Sequence, residues 1–208
     1  MFAKDYRKLA WSKLNNNWAV AILSYLLFAV IIGVASSTAV GALFLYGILG
    51  VGFAGIMLNI IRSRQTKVED LFDGFREGII NNMVAGLLIL IFVVLWSLLF
   101  FIPGIVKSYS YSMTYYIMKD HPQMSSNDAI TESRRMMNGN KWRLFCLDFS
   151  FIGWIILCIL TGGILTILVA PYIEAAHAAF YESLKNPPYE VEPEANDGND
   201  ADFPPVEP

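Results

Sequence analysis

The sequence predicts an all-α, polytopic helical membrane protein with about six transmembrane helices, paired as three hairpins and joined by amphipathic helices at the bilayer interface. Composition is the first reason. Of the 208 residues, 55% are apolar and only 16% charged, where a soluble domain carries about 25% charged residues. The second is arrangement, because the charges cluster and long apolar stretches separate the clusters. The third is sidedness: Lys and Arg fall in alternate connections, as the positive-inside rule demands of a chain that crosses repeatedly.

The apolar runs place the spans at 18–34, 40–61, 83–101, 105–118, 144–160 and 164–184, the last bending or restarting at Pro171. Basic residues check this assignment independently. Lys4, Arg7, Lys8 and Lys13 precede the first span, and Arg62, Arg64, Lys67 and Arg76 separate the second from the third. Lys119, Arg134, Arg135, Lys141 and Arg143 separate the fourth from the fifth, and Lys185 follows the sixth. So 14 of the 15 basic residues share one side, and Lys107 alone does not. That side is the cytoplasm, and both termini lie on it. A cleaved signal peptide ending near Ala35, Ser36 and Ser37 is the alternative for the first span; the spans that follow favour an uncleaved helix.

A unit recurs three times: an amphipathic segment on the basic side, an Asn/Gly cluster, then a hairpin of two spans. The first carries Phe2, Tyr6, Leu9, Trp11 and Leu14 before Asn15, Asn16 and Asn17. The second places Val68, Leu71, Phe72 and Phe75 at i, i+3, i+4 and i+7, before Gly78 and Asn81. The third opens with Ser125 and Asp128 at capping-box-like spacing and ends at Asn138-Gly139-Asn140. Such faces suit helices lying in the interface, and Asn or Gly suits their C-termini. Three unrelated juxtamembrane helices would be the plainer account.

This membrane domain spans residues 1–185. Residues 186–208 hold seven of the 18 acids and read as a disordered, Pro-rich cytoplasmic tail, either merely solvated or docking to a basic partner. Cys146 and Cys158 fall in one apolar segment and read as small buried hydrophobes, not as a disulfide or a zinc site.

Four stretches carry a family resemblance: "IPGIVKSYSYSMTYYIMKDHP" (102–122), "AITESRRMMNGNKWRLF" (129–145), "FSFIGW" (149–154) and "APYIEAAHAAFYESL" (170–184). Together they are similar to the family called domain of unknown function nine-seven-five, small integral-membrane proteins of Gram-positive-type bacteria. The resemblance covers roughly residues 2–184 and is densest after residue 102. A looser likeness reaches the membrane domains attached to some glycerophosphodiester phosphodiesterases. The resemblance implies a helical fold in the bacterial plasma membrane. It implies no activity, no cofactor and no functional residues.

An ionisable group at the bilayer centre costs about 2.5–3.5 kcal/mol on insertion scales, so Lys107, Asp148, Glu174 and His177 are site candidates. Lys107 lies four residues past Pro103 and Glu174 three past Pro171, which predicts a Lys107–Glu174 pair in the outer half of the bundle. The alternatives are a Lys107 that snorkels to the interface, or one that grips an anionic ligand. Lys107, Tyr111 and Thr114, with Ser108, Ser112 and Tyr115 beside them, form a polar stripe. It faces either neighbouring helices or a water- or substrate-lined cavity. Gly41, Gly47, Gly50, Gly52 and Gly55 predict close backbone packing of the second span, or a transport hinge.

Glu174-Ala175-Ala176-His177 has the Glu-x-x-His spacing of carboxylate di-metal proteins but no second copy, so no metal is predicted. No phosphate loop, nucleophile elbow or His-Glu-x-x-His motif appears, so neither a cofactor nor enzymatic activity is predicted. Arg134, Arg135, Lys141 and Arg143, with Trp142 as an anchor, either set topology or also bind anionic lipid headgroups. Nothing suggests a nucleic-acid surface. The expected function is a non-enzymatic membrane module that binds lipids or assists a membrane-protein partner, which includes a second copy of itself. A small transporter using Glu174 and Lys107 is the alternative, and an intramembrane enzyme comes third.

Overall fold

A computed structural model of the protein describes residues 3–37, 39–99 and 101–186. The elements are α1 (Ala3–Leu14), α2 (Trp18–Ala35), α3 (Ala39–Ile61), a 3-10 turn (Val68–Phe72), α4 (Asp73–Arg76) and α5 (Ile79–Leu99). They continue with α6 (Phe101–Tyr111), α7 (Thr114–Asp120), α8 (Ser126–Met136), α9 (Lys141–Phe149), α10 (Ile152–Leu160) and α11 (Thr166–Lys185). The all-α expectation holds: no strand occurs among the described residues. Phe2 and the tail from residue 187 onward lie outside them.

Among the described residues, three helices, within α2, α3 and α5, are long and apolar enough to cross a membrane, and the pair α9–α10, bent by 40°, is a fourth candidate. The first three expected spans are thus single helices. The fourth expected span breaks at Ser112-Met113 into α6 and α7, and the fifth breaks at Ser150-Phe151. At each break a serine hydroxyl turns back on its own helix: Ser112 Oγ donates to the Tyr109 carbonyl at 2.9 Å and Ser150 Oγ to Leu147 at 2.6 Å. Such back-bonding competes with the helical ladder and bends helices. The sixth expected span is the continuous helix α11, which runs through Pro171 without restarting.

The turn of the second hairpin was expected at Pro103-Gly104, but both residues lie inside the first turn of α6. Proline is tolerated there because first-turn N–H groups have no intrahelical partner to lose. Gly104 lets α6 close on α5, since a Cβ there would lie 2.2 Å from Ser97 Oγ.

Helix α3 is the core of the bundle, ringed by α1, α2, α5, α7, α11 and the 3-10 turn. Residues 51–58 are buried on every side. Backbone meets backbone at two places, as the glycine pattern predicts. A Cβ on Gly52 would lie 1.9 Å from the Leu71 carbonyl oxygen, and one on Gly47 would lie 2.4 Å from that of Asn82. By contrast α2 and α5 leave apolar side chains uncovered, with Val34 71% and Leu98 83% exposed.

The amphipathic segments form, yet their apolar faces meet protein. Helix α1 buries Tyr6, Ala10 and Leu14, packing on α11 and α3; α8 buries Ala129, Ile130 and Ser133, packing on α5, α6 and α7. Some aromatics stay uncovered: Trp11 in the first unit and the pair Phe72 and Phe75 in the second. Ser125 caps α8 as its spacing predicts, accepting a hydrogen bond from Asp128 N at 3.2 Å. Gly78 and Gly139 take left-handed conformations (φ +69° and +78°) at the ends of the second and third units. Asn17 does not (φ −127°), so the first unit turns differently. Cys158 is buried, but Cys146 is exposed on α9, which corrects its reading as a buried hydrophobe.

At its C-terminus α3 ends in a Schellman-like turn, with Ser63 left-handed (φ 56°) and Arg64 N bonded to the Asn59 carbonyl at 2.8 Å. This delivers Arg62 into an ion cluster. Its guanidinium makes two parallel hydrogen bonds of 2.7 Å to Asp120, at the end of α7, and also holds Glu182 near the end of α11. Tyr181 and Lys185 donate to the same Asp120 carboxylate. Lys119 bridges Asp73 and Glu77 at 2.9 and 3.1 Å. Burial alone would lower the Lys119 pKa, but its hydrogen bonds to Asp73 and Glu77 outweigh that and raise it. The ends of α3, α7 and α11 are therefore pinned together.

Candidate functional site

A cavity of about 460 Å³ opens between α2, α3, α11 and the α6–α7 break. Its walls are aromatic: Tyr25 and Phe28 from α2, Tyr46 and Phe53 from α3, Tyr115 and Tyr116 from α7. The rings form a chain, with centroids 6.2 Å apart for Tyr25–Phe53, 5.7 Å for Phe28–Phe53, 5.8 Å for Phe28–Tyr46 and 6.4 Å for Tyr46–Tyr115. Tyr115 lies over Gly50, where a Cβ would be 3.3 Å from the ring.

Helix α11 supplies the polar wall, Glu174 and His177, one turn apart. Both are anchored from behind. Tyr116 donates to Glu174 Oε2 at 3.0 Å. His177 Nε2 pairs with Asp148 Oδ1 at 2.6 Å, and Tyr109 donates to the other Asp148 oxygen at 2.9 Å. Asp148, in the last turn of α9, thus ties α6 to α11. No group of three or more His, Cys, Asp and Glu side chains is placed to hold a metal ion among the described residues.

Of the intramembrane candidates, the structure brings Tyr115, Glu174 and His177 together. It does not bring Lys107, Tyr111 or Thr114 to them. Lys107 Nζ lies 4.6 Å over the Trp96 ring and forms no ion pair with Glu174. Tyr111 is buried against Phe92, and Thr114 Oγ1 donates to the Tyr111 carbonyl at 2.8 Å. Ser108, Ser110 and Ser112 likewise bond their own helix, so the stripe is no continuous polar lining. The aromatic wall was not anticipated. Its only signal was spacing, Tyr25 and Phe28 at i, i+3 and Tyr46 and Phe53 at i, i+7, which in an apolar span reads as ordinary packing.

A second site lies on the outside of α6 and α9. An apolar groove of about 270 Å³ is lined by Ile105, Val106, Tyr109, Lys141, Trp142 and Phe145. Trp142 is 71% exposed and stacks on Phe145 at 5.1 Å. Arg134 is exposed in the last turn of α8. Arg135 is spent on Glu132 at 2.7 Å, and Arg143 turns inward to Tyr6 and the Phe180 ring. The predicted lipid cluster thus divides: Lys141 and Trp142 line the groove, Arg134 is exposed on α8, and Arg135 and Arg143 contact Glu132 and Tyr6.

Residues 101–187 match the family described as protein of unknown function (DUF975). The match supports the resemblance noted above over the second half of the chain. The DUF975 region runs from α6 through α11, so it contains the whole groove and the α7 and α11 walls of the cavity. The aromatic wall from α2 and α3 lies outside it. No curated protein and no solved structure matches the chain, and the likeness to glycerophosphodiester phosphodiesterase membrane domains draws no support from them.

Proposed function

We propose that this is a multi-pass protein of the bacterial plasma membrane, non-enzymatic, whose α6–α9 groove binds anionic phospholipid. One observation carries the reading: an apolar groove that suits an acyl chain is lined by Lys141 and the exposed Trp142 indole, with Lys107 next in sequence to the wall residue Val106 and Arg134 exposed on α8, which packs on α6. Tryptophan favours the headgroup level, and basic clusters there attract anionic lipid. Six passes fit the pinned ends. Arg62 follows α3, Asp120 ends α7 and Glu182 lies near the end of α11, all in one cluster. If α5 leaves that face, α6 and α7 must return to it; if α9 and α10 leave it, α11 must return. The positive-inside rule makes this face cytoplasmic.

The test is lipid retention. Native mass spectrometry would compare the purified protein with a Lys107→Gln, Arg134→Gln, Lys141→Gln variant in equimolar phosphatidylglycerol and phosphatidylethanolamine. At about 1 kcal/mol per basic residue, phosphatidylglycerol affinity falls by up to about two orders of magnitude. Arg135→Gln leaves it unchanged, because that side chain is already paired. Equal retention by the triple variant would overturn the proposal.

A further inference from the structure

The cavity between α2, α3, α7 and α11 is separate from the groove, and its chemistry is opposite in sign. We propose that it binds an organic ammonium group. Its lining includes Glu174 and His177 and, among the described residues, no Lys or Arg. The groups facing His177 are Asp148, which it touches, and Glu174, one turn away. A protonated His177 leaves this set with net charge −1, and a neutral one leaves −2, as long as both carboxylates are ionised. In either state the wall attracts a cation.

The other walls specify which cation. Six aromatic rings surround the space, and an aromatic face attracts a cation placed within about 6 Å of its centroid. A small hydrated metal ion needs oxygen ligands in number, which this wall does not offer. An alkylated or primary ammonium gives up its water more readily, meets the ring faces with its methyl or methylene groups, and sets its charge against Glu174. Tyr116 holds Glu174 Oε2, which leaves the second carboxylate oxygen for the guest. About 460 Å³ is ample for a group of choline size. The ammonium has two sources, a free amine or the headgroup of a zwitterionic phospholipid.

The experiment is calorimetric titration of the full chain in neutral detergent with choline and with its uncharged carbon isostere, 3,3-dimethylbutan-1-ol. A parallel arm measures phosphatidylethanolamine retention by native mass spectrometry. Choline is expected to bind at least tenfold more tightly than the isostere. Glu174→Gln is expected to lose that preference, and Tyr46→Leu, at the half-exposed edge of the ring wall, to weaken it several-fold. If choline fails but phosphatidylethanolamine is retained in a Glu174-dependent way, the source is the headgroup and the proposal stands. Equal binding of choline and the isostere, or no Glu174-dependent binding in either arm, would overturn it. Should Glu174→Gln fail to fold, the isostere comparison and Tyr46→Leu still decide. Phosphatidylglycerol retention at the groove is unaffected by Glu174→Gln, so the two proposals fail separately.

Discussion

Asp120→Ala is expected to cost about 3–5 kcal/mol of stability, the cost of breaking a buried ion pair by removing one partner. The Asp120 side chain is 7% exposed and accepts hydrogen bonds from Arg62, Tyr181 and Lys185. Truncation would leave the Arg62 guanidinium short of its main counter-charge in a site only 18% exposed. The effect should be larger than any surface ion pair gives, because Arg135–Glu132, for comparison, is largely solvent-screened.

The same group predicts a pH dependence. Burial would raise the Asp120 pKa, but hydrogen bonds from Arg62 and Lys185 outweigh it and hold the carboxyl well below its ordinary value of 3.8. A depressed folded-state pKa means stability that is fully present above pH about 4 and lost as pH falls further. Thermal unfolding of the detergent-purified protein, followed by tryptophan fluorescence from pH 7 to pH 3, should show that decline. Asp120→Asn should start lower and decline less. An equal acid decline in both proteins would remove Asp120 from the account.

Gly52→Ala is the second large loss. The added methyl would stand 1.9 Å from the Leu71 carbonyl oxygen, a backbone atom that cannot rotate away. Gly74→Ala makes the reciprocal collision at 2.0 Å from the Ile48 carbonyl. Each should cost at least the 1–3 kcal/mol typical of overpacking. Gly33→Ala is the control. Nothing lies within 4 Å of a Cβ there, so an alanine in the last turn of α2 should be neutral or gain up to about 1 kcal/mol. Parallel unfolding curves for the three variants in one detergent would check the ranking.

The sequence made α2, α3 and α5 legible because each is a long apolar run without charge, and nothing competes with a helix there. The glycines of α3 were legible for a related reason, since small residues in an apolar span serve close approach. The placement of Lys107 was not. Its proposed pairing with Glu174 assumed that Pro103 and Pro171 mark equal depth. Pro103 is in fact the third residue of α6 and Pro171 the sixth of α11, and the α6–α7 break removes the common axis. The hydroxyls misled similarly, because a serine at helical spacing can bond its own backbone as readily as a neighbour. The cavity needed three dimensions. Its rings come from three helices, each of which alone reads as packing.

The six-pass arrangement, with both ends and the Arg62 cluster on one face, is the claim on which the rest depends. Impermeant thiol labelling of intact cells tests it directly, using single cysteines in a Cys146→Ser, Cys158→Ser background. Ser36→Cys, Gln65→Cys, Asn127→Cys and Ile164→Cys all sit at exposed positions between helices or at their starts. The account predicts outside labelling at Ser36→Cys and Ile164→Cys, and labelling of Gln65→Cys and Asn127→Cys only after permeabilisation. A four-pass chain, crossing at α2, α3, α5 and α9–α10 alone, exchanges the last pair. Asn127→Cys labelled from outside and Ile164→Cys protected would contradict the account.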